Sequence, residues 1–172
     1  FFGDPLAVGY FSDGLPTIGV DRGVVMSSGR VSSESGGTGI DNPGATFASY
    51  DTNTTIGDLD LNSITGGLGE RDVCKYVISF LPTSDTLEFN YVFASEEYPE
   101  YACSSFNDVF GFFISGPGFN GPYELNAENI ALIPGTITPV SINNIHPQNG
   151  GNCPPVNEEF YVDNNFSDTH PV

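Results

Sequence analysis

Four carboxylates, Glu96, Glu97, Glu100 and Asp108, fall within thirteen residues, and no Lys or Arg follows Lys75. Like charges at that density repel one another unless they are solvated, protonated or bridged by a cation. Ca2+ suits such a group, because it takes ~6–8 oxygen ligands in a flexible shell. Glu96, Glu97, Asn107 and Asp108 are the first-rank ligand candidates, at the end of one strand-like run and the start of the next. Glu100 ranks second, with Asp58 and Asp60, read as sharing one face of an extended segment. The spacing is not that of an EF-hand loop, and plain solvent-facing acids at loop ends account for the same text.

Catalytic chemistry is less well supported. Glycoside hydrolysis needs two carboxyl groups about 5–5.5 or 6.5–9.5 Å apart. Glu97 with Asp108, or Glu96 with Glu100, could be placed so. Glu96 and Glu97 are no such pair, since neighbours on a strand point to opposite faces. The chain has no Trp to stack on a sugar, although Tyr98 and Tyr101 could substitute. Its two histidines, His146 and His170, both precede Pro in loop-like text, and there is no Gly-x-Ser-x-Gly elbow. They read as solvated loop residues, and enzymatic activity is not expected.

Of three cysteines, Cys103 and Cys153 lie in polar, loop-like surroundings and are expected to form a disulfide of the kind secreted domains use. Cys74, in a strand-like run, reads as a buried free thiol. No C-x-x-C pair occurs and no His stands at finger spacing from a Cys, so no zinc site is expected.

The elements that must position these residues alternate with period two. From Thr86 onward, Leu87, Phe89, Tyr91 and Phe93 share one face while Glu88 and Asn90 take the other, the pattern of a strand with one buried side. Tyr76, Ile78 and Phe80 alternate likewise, and Leu81-Pro82-Thr83-Ser84-Asp85 supplies a turn between the two runs, as in a hairpin. Phe89, Tyr91 and Phe93, with Phe110 and Phe112, are read as core. Further strands are expected at Gly23–Ser27, Thr46–Tyr50, Asp108–Ser115, Asn129–Ile133, Val140–Ile145 and Phe160–Val162, with a short helical turn within Ile56–Ile64. Ser32–Gly44 and Asn143–Pro155 read as the longest loops.

Gly (21) and Pro (13) argue against long helices, while 13% aromatic residues argue against disorder. A chain of 172 residues with short strands and frequent turns is read as one all-β domain, an antiparallel β-sandwich or jelly roll. The net charge is −18, with 10 carboxylates and four cations up to Lys75, then 12 carboxylates and no cation. Nucleic acid and anionic lipid would be repelled over most of that surface. No apolar run approaches the ~20 residues of a membrane span. The opening Phe1-Phe2-Gly3, without an initiator Met, reads as the start of a processed or partial chain.

Several of these runs resemble one known family. Phe89–Tyr101, containing Ala94-Ser95-Glu96-Glu97-Tyr98-Pro99-Glu100, and Phe106–Gly118, containing Asn107-Asp108-Val109-Phe110-Gly111, are similar to the central signature of the choice-of-anchor L domain. Gly23–Gly29, Gly57–Leu61 and Asn129–Asn143 resemble its flanking motifs. The family occurs in secreted and surface proteins of bacteria, chiefly Bacteroidota, and takes its name from varied C-terminal anchors. The resemblance implies an extracellular or cell-surface location and an adhesive or structural role, with protein or glycan partners. It implies no catalytic activity. Members continue past the Tyr161–Asn165 region, so residues 1–172 are expected to belong to a longer chain whose sandwich is open at its C-terminal end. An open edge accepts strands from a neighbour, which makes an extracellular filament or assembly the alternative. A carbohydrate-binding module or a carboxylate-dependent glycoside hydrolase is the other alternative.

Overall fold

The computed structural model describes residues 1–31, 57–67, 69, 71–95 and 97–163. Glu96, His170, the Thr46–Tyr50 strand and the Ser32–Gly44 loop lie outside the described residues. The chain forms two compact units: Phe1–Ile56 with Arg71–Ala94 and Phe166–Val172, and Gly57–Glu70 with Ser95–Asn165.

In the first unit, strand β1 (Val8–Phe11) pairs antiparallel with β2 (Gly23–Met26), in the register Val8↔Met26 and Tyr10↔Val24. Val24 and Met26 alternate with less exposed Gly23 and Val25, as a half-buried strand requires. Between the strands, helix α1 (Leu15–Ile18) opens with Pro16 in its first turn. It is closed by Gly19 at φ 73°, a left-handed conformation that glycine adopts without Cβ strain. Ahead of β1, the Asp4 carboxylate caps a 3-10 turn at Pro5–Ala7 by accepting the Leu6 N–H at 2.9 Å. The same carboxylate accepts from Arg30 Nε at 2.9 Å, both side chains being largely buried. The Leu6 N–H and Arg30 hold this carboxyl below its ordinary value against the opposing effect of burial. Phe2 and Lys75 exchange two backbone hydrogen bonds of 2.8 Å, bringing Val73 and Cys74 to the β1 side, where Ala7, Val31 and Val73 are buried. Cys74 is a free thiol that donates to the Ala7 carbonyl, and burial raises its pKa.

The Tyr76–Phe93 text does not form the expected hairpin. Among the described residues no ladder joins its two runs, and Leu87 (50%), Ile78 (63%) and Phe80 (52%) are exposed. The alternation survives as geometry, since the rings of Phe89 and Tyr91 lie on one side with centroids 6.1 Å apart. Alternation encodes a face, but not the partner that covers it. The predicted core aromatics follow suit. Tyr91 is exposed, and Phe89, Phe93, Phe110 and Phe112 are half-buried.

In the second unit, helix α2 (Leu59–Thr65) confirms the helical turn but redefines Asp58 and Asp60. Asp58 is the N-cap, its Oδ1 accepting the Asp60 and Leu61 N–H groups at 3.0 Å, so the segment is not extended. Strand β3 (Phe113–Ile114) pairs antiparallel with β4 (Glu128–Asn129), and the ladder continues from Ile130 N–H to the Phe112 carbonyl. Bridges Val109↔Ser141 and Leu132↔Pro139 add further segments, joined by a turn at Gly135. Buried Asn129 stitches this meander, its Oδ1 accepting the N–H of both Phe112 and Ala131. Ile133 and Ile142 are fully buried, with Ala131 and Val140 beside them in the chain. The expected strand Val140–Ile145 becomes a 3-10 segment at Ile142–Asn144, where Asn107 Oδ1 draws in the Asn143 N–H at 3.0 Å. Of Phe160–Val162, Phe160 ends the 3-10 segment Glu158–Phe160, and residues 161–162 join no strand among the described residues. The described residues are thus mostly non-helical, with two small antiparallel sheets and a few short helices. No described helix is long and apolar enough to cross a membrane.

Candidate functional site

The acidic text after Ala94 folds against the start of the next strand-like run. Ser95 makes the joint, its Oγ donating to Asp108 Oδ2 at 2.8 Å while accepting the Glu97 N–H at 3.1 Å. Ser95, which no acid-counting argument singles out, thus links the Glu97 backbone to the Asp108 carboxylate. Tyr98 follows, its peptide to Pro99 cis and its hydroxyl donating to the Ile145 carbonyl at 2.6 Å. Its ring meets Tyr161 edge-on, with centroids 5.1 Å apart. Burial, with Tyr161 and Asp108 adding negative charge, pushes the Tyr98 phenol well up. Tyr161 is raised by burial and by the nearby charges of Asp163 and Glu100. Of the two tyrosines considered as ligand platforms, Tyr98 is thus committed to the fold and Tyr101 is not. Tyr101 (45% exposed) meets Phe106 (60% exposed) edge-on at 5.4 Å, which places two aromatic rings at the surface.

Asparagines hold this loop in place. Asn143 Oδ1 accepts the Cys103 N–H at 2.7 Å while its Nδ2 donates to the Ser104 carbonyl. Asn149 Nδ2 donates to the carbonyls of Pro99 and Glu100. Cys103 and Cys153 are joined as a disulfide with Cα atoms 5.9 Å apart, closing the loop over a sequence separation of 50.

The remaining acids are spread over the second unit. Asp60, buried, accepts the Glu124 N–H at 2.8 Å, and Asp58 caps α2. Asn107 accepts from the Asn143 backbone, Glu100 is exposed and Glu97 is half-buried. Among the described residues, the group of His, Cys, Asp or Glu ligand atoms that converges within 4.8 Å is Cys103, His146 and Cys153, not a set of carboxylates. Glu96 falls outside that comparison.

His146 corrects the reading of a solvated loop histidine, since it is 1% exposed. Its backbone exchanges two hydrogen bonds with Val156, and its ring lies 3.8 Å from each disulfide sulfur. No period-two signal marked it, since Ser141, of the opposite parity, is buried as well and the run turns at Ile142–Asn144 before His146.

The Choice-of-anchor L domain family model matches residues 2–172. The chain belongs to this family, whose members are surface-associated or secreted modules. No curated protein and no solved structure matches it.

Proposed function

We propose that the chain is a non-catalytic adhesion module of a secreted or surface-anchored protein, its contact face being the disulfide-braced loop from Ser95 to Asp108. The observation that carries this reading is the exposed Tyr101–Phe106 ring pair, held by a disulfide and two asparagine locks, with Glu100 and Asp108 exposed in the same loop. Rigid aromatic rings supply contact area at low entropic cost, and an acidic rim selects hydroxyl-rich or cationic groups. Glycans and basic peptides fit that chemistry. Screening the oxidised chain against glycan and peptide arrays tests the reading. Ca2+ binding around Glu96, Glu97, Asn107 and Asp108 accords with the absence of any cation beyond Lys75. An unfolding midpoint unchanged between millimolar Ca2+ and chelator would remove the ion from the account. In the hydrolase alternative, Glu97→Gln or Asp108→Asn would abolish a measurable turnover, and we expect no turnover to abolish.

A second reading, a subunit in an extracellular assembly, is favoured by the apolar Tyr76–Phe93 text, much of it exposed and in no ladder among the described residues. In that reading a β-sandwich is completed by strands of a neighbouring protein. Sedimentation of the chain at increasing concentration tests it, with reversible self-association as the expected result.

A further inference from the structure

We infer that Cys103, Cys153 and His146 form a two-state centre, a disulfide when oxidised and a Cys2His site for Zn2+ when reduced. Three observations converge on it. The ligand atoms of all three residues lie within 4.8 Å of one another. Zn–S and Zn–N bonds of about 2.3 and 2.0–2.1 Å at a tetrahedral angle place S and N roughly 3.5 Å apart, close to the 3.8 Å between Cys103 Sγ and His146 Nε2. The third observation is the orientation of the ring. His146 Nδ1 lies 2.8 Å from the Pro147 carbonyl, which can only accept, so Nδ1 carries the hydrogen. The Nε2 lone pair is left free on the side of Cys103, while Cys153 Sγ lies 3.8 Å from Nδ1 and turns toward Nε2 once the disulfide opens. A backbone carbonyl fixing the tautomer of a histidine in this way is the outer-shell arrangement that metal-binding imidazoles use.

The arrangement is also held in place. His146 is bridged to Val156 on both backbone groups, and Cys153 is 5% exposed, while Cys103 lies on the exposed loop. A small dithiol reaches the centre from the Cys103 side. It passes two electrons and two protons to the protein sulfurs and leaves as its own cyclic disulfide, the Cys103–Cys153 bond breaking as the reductant's S–S bond forms. Zn2+ then displaces the two thiol protons to solvent and takes Nε2 as third ligand, with water in the fourth position. In an oxidising exterior the disulfide persists. Where dithiols are present, the metal takes over the loop closure that the disulfide provided.

The test uses the 172-residue chain carrying Cys74→Ser, reduced anaerobically with a water-soluble phosphine that is then removed. Titration with Co2+ should give one equivalent bound, with near-ultraviolet thiolate-to-metal absorption, and Zn2+ should displace it. The oxidised chain should show no thiolate-to-metal absorption. His146→Ala, its fold checked in the oxidised state where the disulfide is intact, should weaken Co2+ binding by about 100-fold. Zn2+ should shield Cys103 and Cys153 from maleimide in the parent and not in His146→Ala. Equal binding by His146→Ala, thiolate-to-metal absorption from the oxidised chain, or a reduced chain that takes up no metal would each overturn the proposal.

Discussion

The hydroxyl of Ser95 donates to the carboxylate of Asp108 at 2.8 Å, joining the end of one signature run to the beginning of the next. Because Ser95 Oγ also accepts the Glu97 N–H, one side chain sets both the turn into the acidic loop and its attachment. Ser95→Ala should cost about 1 kcal/mol, the modest figure for a hydrogen bond at an exposed position. Urea unfolding monitored by near-ultraviolet circular dichroism measures it, and a change within error would show that the loop is held by the asparagines and the disulfide alone.

The Cys103–Cys153 bridge closes a sequence separation of 50. Chain-entropy arithmetic for a loop of that size gives roughly 4 kcal/mol of stabilisation. Cys103→Ser with Cys153→Ser should lower stability by that order in metal-free buffer. A loss below about 1 kcal/mol would mean that the paired asparagines restrain the loop without the bridge.

Asp4 ties acid sensitivity to the first unit. Its folded pKa is lowered from 3.8, chiefly by the Leu6 N–H and also by Arg30. The stability it contributes is present above the unfolded value and is lost as pH falls through the lowered folded value. Asp4→Asn should therefore cost about 2 kcal/mol at pH 7 and flatten the fall in stability below about pH 4. Thermal melts of both proteins from pH 7 to pH 2 make the comparison, and parallel curves would contradict it.

Gly121 carries a close backbone approach. Its N–H donates to the Asn126 carbonyl at 2.9 Å, and a Cβ there would collide with the carbonyl of Ala127. The obstacle is backbone, so no side-chain rotation relieves it. Gly121→Ala should destabilise the second unit by about 2–3 kcal/mol, within the range for overpacked sites. An unchanged chemical-denaturation midpoint would show that the 121–127 turn can shift.

Local signals in the sequence carried over well and long-range ones did not. The strand read at Gly23–Ser27 forms as Gly23–Met26, and the helical turn read within Ile56–Ile64 forms as Leu59–Thr65. Both rest on periodicity and caps confined to a few neighbours. The Cys103–Cys153 pairing was legible because only three cysteines exist and two share polar, loop-like surroundings. Asp58 and Asp60 were misplaced because a capping carboxylate and a ligating one look alike until the backbone N–H it accepts is known. Val140–Ile145 alternates like a strand, yet it turns after Ser141 because Asn107, 36 residues earlier, captures the Asn143 N–H. Side-chain bonds to distant backbone have no period, so no pattern announces them. The same holds for His146, whose surroundings depend on a disulfide formed elsewhere in the chain.

In the proposed function the Tyr101–Phe106 face is the surface that meets a ligand. The most direct measurement compares the oxidised chain with Tyr101→Ala/Phe106→Ala on the same glycan and peptide arrays, with melting curves to show that both are folded. Binding to a glycan or basic-peptide class that falls at least about tenfold in the double variant, at an unchanged midpoint, is the predicted result. Binding that survives removal of both rings, or no binding by the parent chain to either array, would contradict it.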